Sequence, residues 1–314
     1  MSTQRKFKKN NKIPLKLDDL IYPLFVREGI KLKEEIPLMP NVFRLSIDKI
    51  EQEVGLLQKD GIRKILLFGI PQSKDARASH AYKKDNIVSK AVKVIRAKYP
   101  DVIIFTDVCL CAYTLDAHCG VINGKSGGID IDKTLNKLSL MALSHAEAGA
   151  HYVAPSAMAA GQVGAIRNSL NIEGHRHVKI MGYSAKFASS LYGPFRAVAD
   201  SAPRFGDRKG YQLNFTGKGP ALRKLEEDIN QGADIIMVKP ALWYLDVINE
   251  AKKRFNRPLA IYSVSGEYAM IKNGIKCGIW DEKEIVFETM AAFKRSGADY
   301  IITYHAKEVA RWFA

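Results

Sequence analysis

Eight short apolar runs, separated by longer segments of helical period, constrain this chain more than anything else in it. The runs lie at 20–26, 64–70, 102–108, 152–155, 178–183, 234–238, 259–264 and 300–304 and are rich in Ile, Val, Tyr and Phe. Near-continuous apolar runs of this length suit strands buried on both faces, which occur in parallel sheets covered by helices. Between them, Ile47, Ile50, Val54 and Leu57 recur at helical spacing behind a candidate N-cap at Ser46. Leu135, Leu138, Ala142 and Ala146 repeat the pattern. A weak internal repeat marks where helices hand over to strands: Gly-Ala-His at 149–151 and Gly-Ala-Asp at 232–234 and 297–299, with Gly61 in a similar place. Glycine ends a helix there because it accepts the left-handed conformation beyond the last turn.

Eight is the number of strands that closes a barrel, so the expected fold is α/β, a (β/α)8 TIM barrel. An open doubly wound sheet is the alternative. Its dinucleotide-binding form is disfavoured because no Gly-x-Gly-x-x-Gly follows an early strand. The barrel domain is expected over 18–314, behind a short extended N-terminal arm at 1–17. That arm is basic: Arg5, Lys6, Lys8, Lys9, Lys12 and Lys16 all precede the first acid, Asp18.

The chain has 314 residues, 48 Lys plus Arg against 33 Asp plus Glu, and a net charge of +15. Such a balance raises the question of a polyanionic partner. Part of the excess sits in the arm and the rest is scattered through helical segments, as on a solvated surface. Neither nucleic acid nor membrane is therefore expected as a partner. A basic interior site for small carboxylates is a further use of the same charge. No apolar run is long enough for a membrane helix, and no secretory signal is found. Of four cysteines, Cys109, Cys111 and Cys119 fall close together, with Cys277 far away. So sparse a set is no disulfide framework. A local cluster reads as metal-binding or catalytic in an intracellular protein, and a cytoplasmic location is expected.

In a barrel, chemistry collects at the C-terminal ends of the strands. Lys239 closes an apolar run of four residues, and Lys186 lies just past another. Burial disfavours an ammonium, so such a lysine can present a neutral amine that attacks a carbonyl to form a Schiff base. Either lysine alone could be a snorkelling strand-end residue. The pair, one βα unit apart, points to chemistry. The C-x-C-x7-C spacing of Cys109, Cys111 and Cys119 suits a tetrahedral zinc with its fourth position open. His118 is a weaker candidate ligand. Arg196 and Arg208 lie in Gly/Pro-rich loop sequence after Lys186, where a lid over the mouth could use guanidinium forks to hold carboxylates. Ser265 and Tyr304, at the ends of the last two runs, offer hydroxyls.

These residues sit in stretches that resemble the porphobilinogen synthase (5-aminolevulinate dehydratase) family of the zinc-cysteine type. The stretches are LIYPLFV at 20–26, TDVCLC at 106–111, HCG at 118–120, YSAKFAS at 183–189, YGPFR at 192–196, GDRK at 206–209, MVKPA at 237–241, VSGEYAMIK at 264–272 and KRSGADYIITY at 294–304. They run in family order over nearly the whole chain after the arm. The resemblance implies condensation of two 5-aminolevulinate molecules to porphobilinogen, with loss of two waters, in tetrapyrrole biosynthesis. It implies Schiff bases on Lys239 for the P-side substrate and on Lys186 for the A-side substrate. It places Arg196, Arg208 and Gln212 on the A-side carboxylate and Ser265 and Tyr304 on the P-side carboxylate. Asp107 and Ser156 would line the P-side amine pocket, and Cys109, Cys111 and Cys119 would bind Zn2+.

Several positions depart from the family pattern. The arm is shorter than the usual one, which embraces a neighbouring barrel and supports octamers; a homo-oligomer is expected, its size left open. Lys224 stands where many bacterial members carry a glutamate for an allosteric Mg2+, so that site is expected to be absent. Ala160 replaces a common acid, Asp116 and Ala117 replace a His-Gly pair, and Ile131 replaces an Asn. Two other readings remain: another Schiff-base lyase such as a class I aldolase barrel, which needs no zinc, and a non-catalytic basic binding barrel.

Overall fold

The computed structural model describes residues 14–123 and 128–313. The expected arm falls largely outside them, including Arg5, Lys6, Lys8, Lys9 and Lys12. Its last residues are described: Leu15 is buried in the hydrophobic core, and Leu17–Asp19 form a single 3-10 turn leading into the first strand.

Eight parallel strands form the barrel: β1 (Leu20–Arg27), β2 (Lys64–Ile70), β3 (Ile103–Val108), β4 (Tyr152–Pro155), β5 (Lys179–Lys186), β6 (Ile235–Lys239), β7 (Leu259–Tyr262) and β8 (Tyr300–Ile302). The cylinder closes where Leu20 pairs with Ile301 and Ile21 with Ile302. This closure excludes the open doubly wound sheet. Strand side chains alternate between two buried layers, as a period of two demands. Ile21, Phe25, Leu66, Phe68, Phe105, Met181, Met237 and Ile302 fill the interior. Leu20, Leu24, Ile65, Leu67, Ile104, Ile180, Ile236 and Ile301 pack outward against helices. Burying each of these large side chains contributes about 1.5–3 kcal/mol relative to exposure, and that requirement on both faces made the runs conspicuous.

The helices are α1 (Ile47–Lys59), α2 (Ile87–Lys98), α3 (Ile131–Ala148), α4 (Gln162–Ile172), α5 (Gly193–Val198), α6 (Lys218–Asn230), α7 (Leu245–Arg254), α8 (Ser265–Lys276), α9 (Glu282–Ser296) and α10 (Ala306–Phe313). Ile50, Val54 and Leu57 are buried along α1, as their spacing predicts. Ser46 does occupy the N-cap position, but its hydroxyl does not cap the helix. It accepts from the Leu32 amide at 2.9 Å and donates to Asp48 at 2.6 Å, tying the preceding hairpin to the helix instead. Gly149 and Gly297 end α3 and α9 at φ of 102° and 108°, the left-handed conformation their repeat suggests. Among the described residues no helix is long and apolar enough to cross a membrane.

The structure corrects the sequence reading in two places. A hairpin of Lys33–Ile36 and Met39–Leu45 lies between β1 and α1, and its second strand pairs with the end of β1. Its charged, partly exposed residues hide it from a search for apolar runs. The strand ends also move. β5 runs on through Ser184 and Ala185 to Lys186, whereas β7 and β8 stop at Tyr262 and Ile302. Ser265 is thus the first residue of α8, and Tyr304 lies on the loop after β8. Neither ends a strand.

Candidate active site at the barrel mouth

Lys186 and Lys239 are the last residues of β5 and β6 and are paired in register across the two strands. Each is 6 % exposed. The Lys186 ammonium donates to the Ser156 carbonyl at 2.5 Å. Lys239 has a different setting. Its Nζ lies 4.1 Å from the Tyr262 ring centroid, 5.0 Å from that of Tyr183 and 5.3 Å from that of Phe195. Aromatic faces tolerate a cation but supply far less than water does. Burial therefore pulls the Lys239 amine down to about 7, and the neighbouring Lys186 charge acts in the same direction against a smaller opposing pull from Asp107. Near neutral pH a sizeable fraction of Lys239 is unprotonated and nucleophilic.

Asp107, on β3, completes this group. Burial pushes its carboxyl up to about 6, while a hydrogen bond from Ser156 and the charges of Lys186 and Lys239 hold it from rising further. One of its oxygens has no protein partner. A buried, unpaired acceptor beside two amines is a place for a donor from a bound molecule.

The three clustered cysteines converge on the loop after β3. Their Sγ atoms all lie within 4.8 Å of one another, with Cys109 and Cys111 3.4 Å apart, and all three are buried. Zinc–sulfur bonds of about 2.3 Å in tetrahedral geometry need sulfurs about 3.8 Å apart. The donor set therefore fits such an ion, and among the described residues no fourth His, Cys or carboxylate joins the group. Hydrogen bonds from Cys109 and Cys111, helped by Arg208 and Lys186, hold the Cys119 thiol well below its ordinary range. His118 is not placed as a ligand. Its Nδ1 lies 3.3 Å from the Tyr211 hydroxyl and its Nε2 3.1 Å from the Phe205 carbonyl, so it fastens the cysteine loop to the segment above.

That segment, 187–217, covers the mouth as the sequence suggests. Its two ends are stitched by Leu213 donating to the Lys186 carbonyl at 3.1 Å and Ala188 donating to the Leu213 carbonyl at 2.8 Å. It carries Arg196, Arg208 and Gln212 inward. Arg208 is buried and donates to the carbonyls of Ala117, at 2.9 Å, and Ser201. Burial works against its charge, but the Cys119 and Cys111 sulfurs outweigh that and raise its pKa. The Arg196 guanidinium is lowered by burial and by Arg208 beside it. Arg196 Nε, Arg208 Nε and both amide atoms of Gln212 are buried without partners. Two cations held near each other with spare donors make a receptor for a carboxylate.

On the far side, Ser265 accepts from the Phe195 amide at 3.0 Å, and the hydroxyls of Tyr304 and Tyr262 are 3.0 Å apart. The structure thus brings the sequence-derived residues into one mouth and adds Tyr183, Tyr262 and Phe195 around Lys239. The cavity left open beside Asp107, Cys109, Cys111 and Phe195 is only about 20 Å³. A larger open depression of about 650 Å³ lies at the opposite end of the barrel. Its exposed Lys252 and Arg254 are already paired with Asp299 and Glu226, and it has none of the mouth's nucleophiles.

Gly266 is required where the covering segment meets α8. A Cβ there would fall 2.4 Å from the Leu191 carbonyl oxygen, a backbone atom that cannot swing away. Gly266→Ala is expected to cost about 1–3 kcal/mol and to raise KM by unseating the segment, as thermal melting and steady-state kinetics would show.

The family model for delta-aminolevulinic acid dehydratase matches residues 2–312. The chain belongs to this family. It is 50 % identical to the delta-aminolevulinic acid dehydratase of Archaeoglobus fulgidus over 93 % of this chain and 90 % of that one. It is 45 % identical to that of Bacillus subtilis over 94 % and 91 % of the two chains. The crystal structure of the Toxoplasma gondii delta-aminolevulinic acid dehydratase, in complex with the reaction product porphobilinogen, superposes with a TM-score of 0.93 at 40 % identity, covering 97 % of this chain and 87 % of that one.

The positions departing from the family pattern can now be located. Ala117 adopts φ +59°, a left-handed conformation that glycine takes without strain. The backbone is held there by Arg208 on the Ala117 carbonyl and by Asp116 accepting from the His118 amide at 2.8 Å. The Lys224 ammonium lies 2.6 Å from buried Asp228 and 3.5 Å from Glu227. Ala160 and Ile131 are exposed.

Proposed function

We propose that Lys186 and Lys239 are the Schiff-base lysines of this enzyme, and that the remaining mouth residues sort two identical substrates into unlike positions. The reaction is the condensation of two 5-aminolevulinate molecules to porphobilinogen in tetrapyrrole biosynthesis. One carbon–carbon and one carbon–nitrogen bond form, and the two ketone oxygens leave as two waters. The observation that carries the residue assignment is the pair of buried amines at successive strand ends, one of them with its pKa drawn to about 7.

Lys239, within its aromatic cage, takes the P-side substrate, whose carboxylate reaches Ser265 and Tyr304 and whose amine lies toward Asp107 and Ser156. Lys186 takes the A-side substrate, whose carboxylate is held by Arg196, Arg208 and Gln212. An iminium on either lysine draws electrons from the adjoining carbons, which makes one substrate electrophilic and lets the other lose a proton. Cys109, Cys111 and Cys119 would hold zinc, which as a Lewis acid can polarise an oxygen of the A-side substrate. A class I aldolase has no use for that cysteine cluster. Assembly as a homo-oligomer in the cytoplasm belongs to the same proposal.

The test is direct. Purified protein, supplied with zinc and reduced thiols, is incubated with 5-aminolevulinate and assayed for the pyrrole; absence of pyrrole overturns the proposal. The setting of Lys239 adds a pH expectation. Its folded-state pKa is lowered, so the nucleophilic amine appears as pH rises through about 7 rather than near its ordinary value. The initial rate of borohydride-trapped adduct at Lys239 should therefore climb between about pH 6 and 8, and a climb only above pH 9 would contradict the desolvated setting.

A further inference from the structure

Glu267 is buried, carries an ionisable group and has no part in the roles assigned above. It stands in the first turn of α8, two residues after Ser265. One carboxylate oxygen accepts from the Val264 amide, which fastens the entry to its own helix. The other accepts from the Leu242 amide at 2.5 Å, at the start of the 3-10 turn Leu242–Tyr244 after β6, and the Ala241 amide also donates to this carboxylate. Ala241 and Leu242 follow Lys239 after a single intervening residue, Pro240. The side chain therefore joins the end of the strand bearing Lys239 to the start of the helix bearing Ser265. No backbone bond does this work there, because the parallel pairing of β6 with β7 ends at Val238 and Ile261. Burial raises the Glu267 carboxyl to about 7, partly offset by these three amides and by the Lys239 charge. A carboxylate with three backbone donors is costly to bury and well satisfied once placed.

We infer that Glu267 is a positioning residue that sets the spacing between the Lys239 amine and the Ser265 hydroxyl, and so registers the P-side substrate without touching it. This rests on the Schiff-base role proposed for Lys239. One substrate molecule must reach the amine with its ketone and the hydroxyl with its carboxylate, so that spacing decides whether both contacts form together. Lys186, on β5, is held through the Ser156 carbonyl and makes none of the Glu267 contacts.

Two variants separate the possibilities. In Glu267→Gln the amide keeps one acceptor oxygen but turns an NH2 group toward backbone donors. In Glu267→Asp the side chain is one methylene shorter and reaches one loop only. Each is incubated with 5-aminolevulinate and borohydride, and the adducts at Lys239 and Lys186 are quantified separately by mass spectrometry. The expected result is a tenfold or greater loss of adduct at Lys239, with Lys186 within about twofold of the parent protein. Equal trapping at both lysines in folded variants, or parallel loss at both, overturns the inference. If the parent protein itself gives no adduct at Lys239, it is the Schiff-base assignment that fails. Should both variants misfold, hydrogen exchange on the parent protein decides: strong protection of the Ala241 and Leu242 amides is required, and exchange at the rate of an open loop overturns the brace.

Discussion

Lys239→Met is expected to lower the rate of pyrrole formation by about 10⁴-fold or more, with little change in thermal stability. The side chain lies among the rings of Tyr262, Tyr183, Tyr192 and Phe195. A methionine of similar length fills that space and relieves the burial of a partly charged group beside Lys186. Stability should therefore hold or rise slightly while chemistry is lost. That separation marks a group kept for reaction rather than for folding. The variant should still form a trapped adduct at Lys186, because that amine is held independently through the Ser156 carbonyl. A Lys239→Met protein with a tenth or more of the parent rate, measured on folded protein, would contradict the assignment.

Stripping the metal is expected to have the second largest effect. A chelator should lower the rate by about 10²–10³-fold, the equivalent of several kcal/mol of lost charge stabilisation, with recovery on adding zinc. The cysteine loop lies beneath the covering segment, joined to it through His118, Tyr211 and Arg208. Without the ion the three sulfurs lose the cation that would hold them together, and the loop whose Ala117 carbonyl seats Arg208 is less firmly fixed, so the A-side carboxylate should also bind more weakly. Cys119→Ser should reproduce the loss and resist rescue at ordinary zinc concentration. Full activity in chelated protein, with elemental analysis showing no zinc, would remove the ion from the account.

The barrel was legible because its demand on the sequence is simple: eight segments must be apolar on both faces. The strand ends were less so. Beyond Tyr183 the chain reads Ser-Ala-Lys, and polarity suggests a loop, yet β5 continues because Lys186 pairs with Lys239. The hairpin before α1 escaped because much of its surface faces solvent. The two lysines, the cysteines and the arginines carried their own signal, being unusual residues at strand ends or in tight spacing. Groups that act through distant partners did not. His118 meets Phe205 and Tyr211 some 87 and 93 residues on, and Glu267 reaches Leu242 across 25. Tyr183 and Tyr262 could have been anticipated, since strand alternation turns both toward the barrel interior near the lysines.

Two buried lysines at successive strand ends are proposed to bind two copies of one substrate covalently. Borohydride reduction of the parent protein in the presence of 5-aminolevulinate, followed by digestion and mass spectrometry, tests it most directly. Reduced substrate adducts are expected on Lys239 and on Lys186, absent when substrate is omitted. Adducts on neither residue, or only on surface lysines such as Lys252 and Lys253, would contradict it.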